Sequence, residues 1–184
     1  ASTKYDKKLK ETVLNISRNK KLPSKRILKD IDHKVGEISA KTINKLIKKI
    51  PFEASEICAI GSHGQTLMHK RQARKTFSLQ VGDPFLIRRK TNITTVSNFR
   101  QANIKNGGQG APLTPSFHKE FFKSSAEDRV IINIGGISNM TFLPKKGKSF
   151  GWDCGPGNCM IDNFIQKNSD KKYQFDKDGQ LAAK

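Results

Sequence analysis

Asp153 is the residue whose type and position are best suited to chemistry. It ends a predicted strand at 150–153 and is followed by the turn Gly155-Pro156-Gly157. A helix is predicted to begin near Cys159, so the carboxylate would lie beside the N–H donors of a helix N-terminus. A general base that activates an oxygen nucleophile needs this kind of placement. An aspartate that caps the helix would occupy the same position, and position alone leaves both roles open, although Asn158 is better placed to cap.

Three glycine-rich loops, at 61–66, 135–136 and 151–158, each follow an apolar strand. Ligands of α/β proteins collect beyond the carboxyl ends of the strands. Glycine lets backbone N–H groups approach a phosphate because no Cβ stands in the way. Hairpins also use Gly-Gly turns routinely, so the glycines by themselves indicate a binding loop only weakly.

Cysteine content and apolar runs indicate a cytoplasmic protein. The chain has an odd number of cysteines, Cys58, Cys154 and Cys159, and its sequence shows no secretory signal. Both observations favour reduced thiols over disulfides. No second Cys or His pair accompanies Cys154 and Cys159, so no metal site is predicted. The apolar runs are too short to span a bilayer, and we expect no membrane partner.

The formal net charge of +19, from 35 Lys and Arg against 16 Asp and Glu, is the most unusual property of the composition. A positive charge favours phosphate-rich partners, nucleic acid first among them. The basic residues are mostly lysine, however, and many lie where a helix shows its solvated face. Recognition of bases and phosphates prefers arginine. The predominance of lysine therefore argues against nucleic acid as the partner, and a basic nucleic-acid-binding protein is kept as the less favoured alternative.

Hydrophobic spacing predicts an α/β fold of short strands that alternate with helices. A helix is predicted at 5–18, and a second runs from its N-cap Ser24 to Pro51, with Gly36 as its weak point. Asp83 and Pro84 are predicted to begin another helix, the aspartate acting mainly as its cap. The remaining predictions are strands at 57–60, 76–81, 94–96, 129–134 and 137–143, a loop at 61–66, and helices at 112–122 and 159–166.

Five motifs occur in order along the chain. They are Gly-Ser-His-Gly-Gln-Thr at 61–66, Gln-Val-Gly-Asp-Pro at 80–84, Asn-Gly-Gly-Gln-Gly-Ala-Pro-Leu at 106–113, Asn-Ile-Gly-Gly-Ile-Ser-Asn-Met-Thr at 133–141 and Gly-Trp-Asp-Cys-Gly-Pro-Gly-Asn at 151–158. The series closely resembles the anhydro-N-acetylmuramic acid kinases over nearly all of residues 51–184. Five ordered motifs are specific in a way that no single motif is.

The resemblance implies an actin/hexokinase-like fold, in which two ribonuclease H-like lobes are built on mixed sheets flanked by helices. Residues 1–125 would form most of the N-terminal lobe, and residues 126–184 the start of the C-terminal lobe. The family's first strand and first phosphate loop have no counterpart here, and the family continues beyond the last residue. We therefore expect an interior segment that is inactive by itself.

The resemblance also implies a carbohydrate kinase of peptidoglycan turnover that uses ATP and Mg²⁺ and forms a homodimer. Its sugar substrate, anhydro-N-acetylmuramic acid, is opened by water and phosphorylated on O6, giving N-acetylmuramic acid 6-phosphate. Asp153 would activate the water. Asn133, Gly135 and Gly136 would contact ATP phosphates. Ser62, His63, Gly64 and Gln65 would line the sugar side, with His63 in contact with the sugar and not in proton transfer.

Three positions depart from the pattern of the family. Asn98 and Asn103 stand where it usually has Asp, and Cys154 stands where it usually has Thr. These departures leave open a non-catalytic remnant, or a segment that needs a companion chain, as the alternative to the kinase.

Overall fold

The structure is a computed structural model that describes residues 1–72, 75–170 and 172–183. The chain forms two compact units, Ala1–Ala111 and a second that begins at Pro112. The assignment of residues 1–125 and 126–184 to two kinase lobes stays a prediction.

Two helices open the first unit, α1 at Lys7–Asn19 and α2 at Lys25–Ile47, as the apolar spacing predicted. Ser24 is the N-cap of α2, and its hydroxyl accepts from the N–H of Ile27. Helix α2 continues through Gly36 without a break. This glycine is buried, and a Cβ there would stand 3.0 Å from the backbone nitrogen of Asp83, so its small size lets the helix pack closely against that segment. The core of this unit consists of Leu9, Val13, Ile16, Ile31, Val35, Leu67 and Val81.

Two small sheets complete the first unit. Strands β1 at Ile60–Gly61 and β4 at Thr95–Val96 pair in parallel. Strands β2 at Gln65–Gln72 and β3 at Lys75–Val81 form an antiparallel hairpin. Helix α3, Pro84–Thr91, connects β3 to β4, and helix α4, Phe99–Lys105, follows β4.

Strand β2 corrects the sequence analysis, which predicted a loop at 61–66 and no strand after it. The register shifts between Thr66 and Met68. This irregularity places consecutive residues, Leu67 and Met68, among the buried ones. The alternation of apolar and polar residues that marks a strand is therefore lost at that point. Strand β1 is also shorter than the predicted strand at 57–60, and helix α4 was not predicted.

The second unit contains helix α5 at Thr114–Phe122, a three-stranded antiparallel sheet and helix α6 at Asn158–Asn168. The strands, in the spatial order of the sheet, are β5 at Arg129–Ile134, β6 at Ile137–Leu143 and β7 at Phe150–Pro156. Thr141 and Leu143 of β6 are fully buried, and the Thr141 hydroxyl lies 2.9 Å from Nδ1 of His118 on α5. This contact fixes α5 against one face of the sheet.

The mixture of helices and sheets confirms the predicted α/β class. Among the residues that the structure describes, no helix combines the length and apolar character needed to cross a bilayer.

Candidate functional site

The first unit holds a cavity at the carboxyl edge of its parallel strand pair. Ser62 and His63 follow β1, while Ser97 and Asn98 follow β4. The N–H of Ser62 donates to the carbonyl of Val96 at 2.8 Å, which holds the two strand ends together. The cavity has a volume of about 260 Å³ and is lined by Asp32, Ser62, His63, Gly64, Gln80, Val81, Gly82, Asp83, Pro84, Phe85, Ser97 and Asn98.

Three of the four predicted sugar-binding residues, Ser62, His63 and Gly64, line this cavity. Gln65 does not line the cavity. Its side-chain amide donates instead to the carbonyl of Thr66 at 3.2 Å. Gly64 has a φ of +70°, and a Cβ there would stand 2.6 Å from the carbonyl oxygen of Val81. Only glycine can occupy this position, since the loop crosses directly over the end of β3.

Asp32 and Asp83 are two carboxylates that line the cavity. The carboxylate of Asp32 accepts from the N–H of Gly82 at 2.8 Å. The Asp83 carboxylate accepts from the N–H groups of Phe85 and Leu86 at 2.9 and 3.1 Å, which confirms its predicted role as the cap of α3. Asp32 was missed by the sequence analysis, because it lies within a long amphipathic helix and carries no local motif.

His63 has a defined partner at each ring nitrogen. Its Nδ1 lies 2.9 Å from the carbonyl oxygen of Gly64, and its Nε2 accepts from Nε of Arg100 at 2.8 Å. Arg100 also acts on His69, whose pKa is lowered first by burial and then by the positive charge of Arg100. Arg100 therefore connects the cavity loop to the β2–β3 hairpin.

In the second unit, Asp153 belongs to a row of polar residues that crosses the sheet. Asn133 of β5 is paired with Asn139 of β6, and Asn139 is paired with Asp153 of β7. Directly opposed residues of antiparallel strands project from the same face, so these three side chains form one polar row. Within the described residues the Asp153 carboxylate has no hydrogen bond or ion pair, and it is exposed. A carboxylate without a protein partner is free to accept a proton from a ligand.

The strand that carries Asp153 does not end there, as the sequence analysis had predicted. Strand β7 continues to Pro156 because its pairing with β6 shifts register between Ser138 and Asn139, which leaves Cys154 as the extra residue. A bulge of this kind redirects the neighbouring side chains of a strand. The bulge therefore sets the direction of Asp153.

The alternative role of Asp153 as a helix cap is wrong. The N-cap of α6 is Gly157, and no side chain caps this helix. The N–H groups of Gly157 and Asn158 donate instead to the carbonyls of Gly136 and Gly135, at 2.9 and 2.8 Å. The hairpin turn thus caps the helix with its own backbone.

Gly135 and Gly136 form the turn between β5 and β6, and the fold itself does not require glycine at either position. Neither residue has a positive φ. A Cβ would meet nothing closer than 3.5 Å at Gly135 and 3.9 Å at Gly136. Among the described residues, the backbone hydrogen bonds outside helices and strands include none donated by these two glycines. Space for a backbone approach and free N–H groups are what a phosphate cradle offers.

The sequence matches a known family over almost its whole length. A family model described as anhydro-N-acetylmuramic acid kinase matches residues 2–184. The chain belongs to this family. Curated relatives named anhydro-N-acetylmuramic acid kinase include those of Shewanella frigidimarina, 46% identical over 153 residues, and Aliivibrio fischeri, 42% identical over 157 residues. A third, from Mannheimia succiniciproducens, is 40% identical over 153 residues.

These matches cover 83–85% of this chain but 41–42% of each relative, so the chain spans about two fifths of the length of the anhydro-N-acetylmuramic acid kinases that it matches. Membership of the family, together with the mixed helices and sheets, confirms the predicted actin/hexokinase-like fold class.

Asn98 and Asn103, which stand where the kinase family usually has Asp, both fit the local structure around them. The Asn103 side-chain oxygen accepts from the N–H of Gly110 at 2.7 Å, a bond for which an amide oxygen serves as well as a carboxylate. Asn98 has a φ of 60°, in the left-handed region that asparagine and aspartate both tolerate. Loss of the charge therefore leaves both loops intact.

Proposed function

We propose that this chain is part of an ATP-dependent carbohydrate kinase that opens anhydro-N-acetylmuramic acid and phosphorylates its O6. The proposal draws on membership of the kinase family and on the two sets of site residues described above. Because ATP is the phosphoryl donor of the cytoplasm, we place the reaction there. The product would be N-acetylmuramic acid 6-phosphate, recovered from peptidoglycan turnover.

The observation that carries the proposal is the unpartnered Asp153 carboxylate in the polar row across the sheet of the second unit. As a general base it takes one proton from a water molecule, whose oxygen forms a bond to the anomeric carbon of the sugar. The bond between that carbon and O6 breaks, and its electron pair remains on O6. The freed O6 then forms a bond to the γ-phosphorus of ATP, the bond from that phosphorus to the bridging oxygen breaks, and ADP leaves with the electron pair.

The cavity of the first unit supports sugar binding. Its volume of about 260 Å³ is slightly below the roughly 300–1,000 Å³ found for drug-sized ligands, which suits a ligand as small as a single sugar. Ser62 presents a hydroxyl and Asn98 an amide, the polar groups that orient sugar hydroxyls. Gly64 and the backbone around it let a ligand approach the loop closely.

ATP supplies the phosphoryl group, and Asn133, Gly135 and Gly136 are the residues of this chain that we assign to its phosphates. The open space at both glycines and their unused N–H groups fit an anion. Within the described residues no three His, Cys, Asp or Glu side chains come together as a metal cage. Mg²⁺ usually binds through nucleotide phosphates with few protein ligands, and we propose that it enters with ATP.

The test needs a complete kinase, because this chain spans two fifths of its relatives. A chimera of the Shewanella frigidimarina relative that carries residues 51–184 of this chain in place of its own should convert anhydro-N-acetylmuramic acid and ATP to the 6-phosphate. Mass spectrometry in water labelled with ¹⁸O should find the label on the anomeric hydroxyl. A folded chimera that binds both substrates without turnover would contradict the proposal and favour a non-catalytic remnant. Gel filtration of the same chimera tests the homodimer, which stays a prediction.

A further inference from the structure

We propose that Arg100 is a positioning residue that fixes the proton of the neutral His63 ring on Nδ1, so that His63 meets a ligand with its ring and not with a nitrogen that transfers protons. That this ligand is a sugar rests on the proposed function. The protonation of the ring follows from the contacts of this chain alone.

The two neighbours of the His63 ring leave a single arrangement of protons. The Nε of Arg100 carries a hydrogen and has no lone pair to offer, so at 2.8 Å the Nε2 of His63 must be the acceptor. The carbonyl oxygen of Gly64 has no hydrogen to donate, so at 2.9 Å the Nδ1 of His63 must be the donor. One ring nitrogen is therefore protonated and the other is not. This is the neutral imidazole with its proton on Nδ1.

The chain brings these groups together from distant positions. His63 follows strand β1, whereas Arg100 lies in the first turn of helix α4, which follows the parallel partner strand β4. The pairing of β1 with β4 is thus what places the guanidinium beside Nε2 of the histidine ring. Gly64 supplies its carbonyl from the tight turn in which its φ is +70°.

The charged groups around the ring agree with this arrangement. The guanidinium of Arg100 occupies the position that a second ring proton would need. The carboxylates of Asp32 and Asp83 line the same cavity, but their recorded bonds are to the backbone N–H groups of Gly82, Phe85 and Leu86. No ion pair joins either carboxylate to His63 among the described residues.

The consequence is a restriction on what His63 can do. With both nitrogens engaged, the surface that it offers to the cavity is the face and the carbon edge of an aromatic ring. Histidine resembles tyrosine and tryptophan in presenting an apolar body besides its polar atoms. Such a body suits the apolar C–H face of a sugar ring, and it cannot act as an acid or a base while Arg100 stays in place.

Nuclear magnetic resonance of this chain, labelled with ¹⁵N, tests the protonation directly. Long-range ¹H–¹⁵N correlations at about pH 8, above the ordinary pKa of histidine, distinguish the two neutral forms. The His63 signals are assigned by their loss in His63→Gln. We expect the proton on Nδ1 in the wild-type chain and a shift of the proton towards Nε2 in Arg100→Ala. Arg89→Ala, which removes an exposed arginine of α3, should leave the wild-type pattern.

Two results would overturn the proposal: a wild-type His63 with its proton on Nε2, or an Arg100→Ala variant that keeps the proton on Nδ1. The amide spectrum of each variant shows whether it is folded. If Arg100→Ala does not fold, Arg100→Gln provides the same comparison, because the shorter side chain cannot reproduce the guanidinium contact.

The role towards the sugar has a separate kinetic test in the complete chimera. Arg100→Ala should raise the KM for the sugar and leave kcat unchanged, the pattern of a lost contact that is equally strong in ground state and transition state. A fall in kcat with an unchanged KM would show that Arg100 acts in the chemical step and would contradict the proposal. If the chimera has no kinase activity at all, the proposed function fails, while the protonation measured on this chain stands.

Discussion

Asn139 and Asp153 are direct cross-strand partners in the sheet of the second unit, and the register shifts immediately beside this pair. Both side chains project from the same face of the sheet, where Asn139 is half-buried and Asp153 is exposed. The motif around Asn139 was noted in the sequence, but no role was given to this residue. Its place directly opposite Asp153 makes it the cross-strand neighbour of the proposed base.

Asp153→Asn in the chimera should lower turnover by about 10²–10⁴-fold, because an amide cannot accept the proton from water. Sugar and nucleotide binding and thermal stability should stay near wild type, since Asp153 has no recorded bond within the described residues to lose. Asp128→Asn is the matched control, because its side-chain oxygen can still accept from the N–H of Lys145. Near-normal turnover of the Asp153 variant would show that this carboxylate is not the base.

Asn139→Ala should lower kcat while it leaves the KM for ATP unchanged. Asn139 lies directly opposite Asp153, so removing its side chain leaves space into which the carboxylate can shift, and misplacement of a catalytic group can cost up to about 10²-fold. Asn163→Ala on helix α6 is the control, since Asn163 lies outside the polar row. The assignment fails if both variants have the same kcat as the wild type.

Two glycines of the second unit should respond differently to alanine. A Cβ at Gly157 would stand 2.5 Å from the carbonyl oxygen of Gly135 and 2.7 Å from the Ser138 hydroxyl. Gly157→Ala should therefore reduce the free energy of unfolding by about 1–3 kcal/mol, measured by urea denaturation of this chain.

Gly136→Ala should leave the unfolding free energy within about 0.5 kcal/mol of wild type, because its Cβ would meet only Cys159 at 3.9 Å. In the chimera the same change should weaken ATP binding, which calorimetry measures, because the methyl group occupies the approach to the free N–H groups. Unchanged affinity would exclude Gly136 from the phosphate site.

Arg100→Ala should raise the pKa of His69 part of the way towards its ordinary value, as measured by titration of its ring protons. Part of the depression would remain, because burial, its larger cause, is unaffected. A histidine whose pKa is lowered by folding contributes stability that is present above its unfolded-state pKa of about 6.5 and is lost as the pH falls towards the folded-state pKa. As the pH falls from about 6.5 towards the folded-state pKa, the free energy of unfolding of Arg100→Ala should therefore fall by less than that of the wild type. Arg89→Ala should behave as wild type. An unchanged His69 titration would contradict this coupling.

Local patterns determined most of the elements of this chain. The apolar spacing of α1 and α2, the Ser24 and Asp83 caps and the strands on either side of Gly135-Gly136 were all visible in the sequence, because each depends on residues within one or two helical turns or one hairpin. The ordered motifs also identified the family, since their residue types are specific as a series.

The sequence could not determine what depends on pairing between distant segments. Strand β2 was missed because the register shift at Leu67 and Met68 disrupts its alternation, and such a shift appears only when the partner strand is in place. Likewise β7 continues past Asp153 because it pairs with β6, and the residues around Cys154 contain no local signal that predicts this pairing.

The environment of the site residues was decided by tertiary structure for the same reason. Asp32 reaches the cavity from a helix, and Arg100 reaches His63 only because β1 and β4 lie side by side. A sequence shows which residue types are present and where they recur. Hydrogen bonds between residues far apart along the chain form only when packing brings those residues within about 3 Å. Such packing therefore decides which nitrogen of a histidine ring carries the proton and which carboxylate is left without a protein partner.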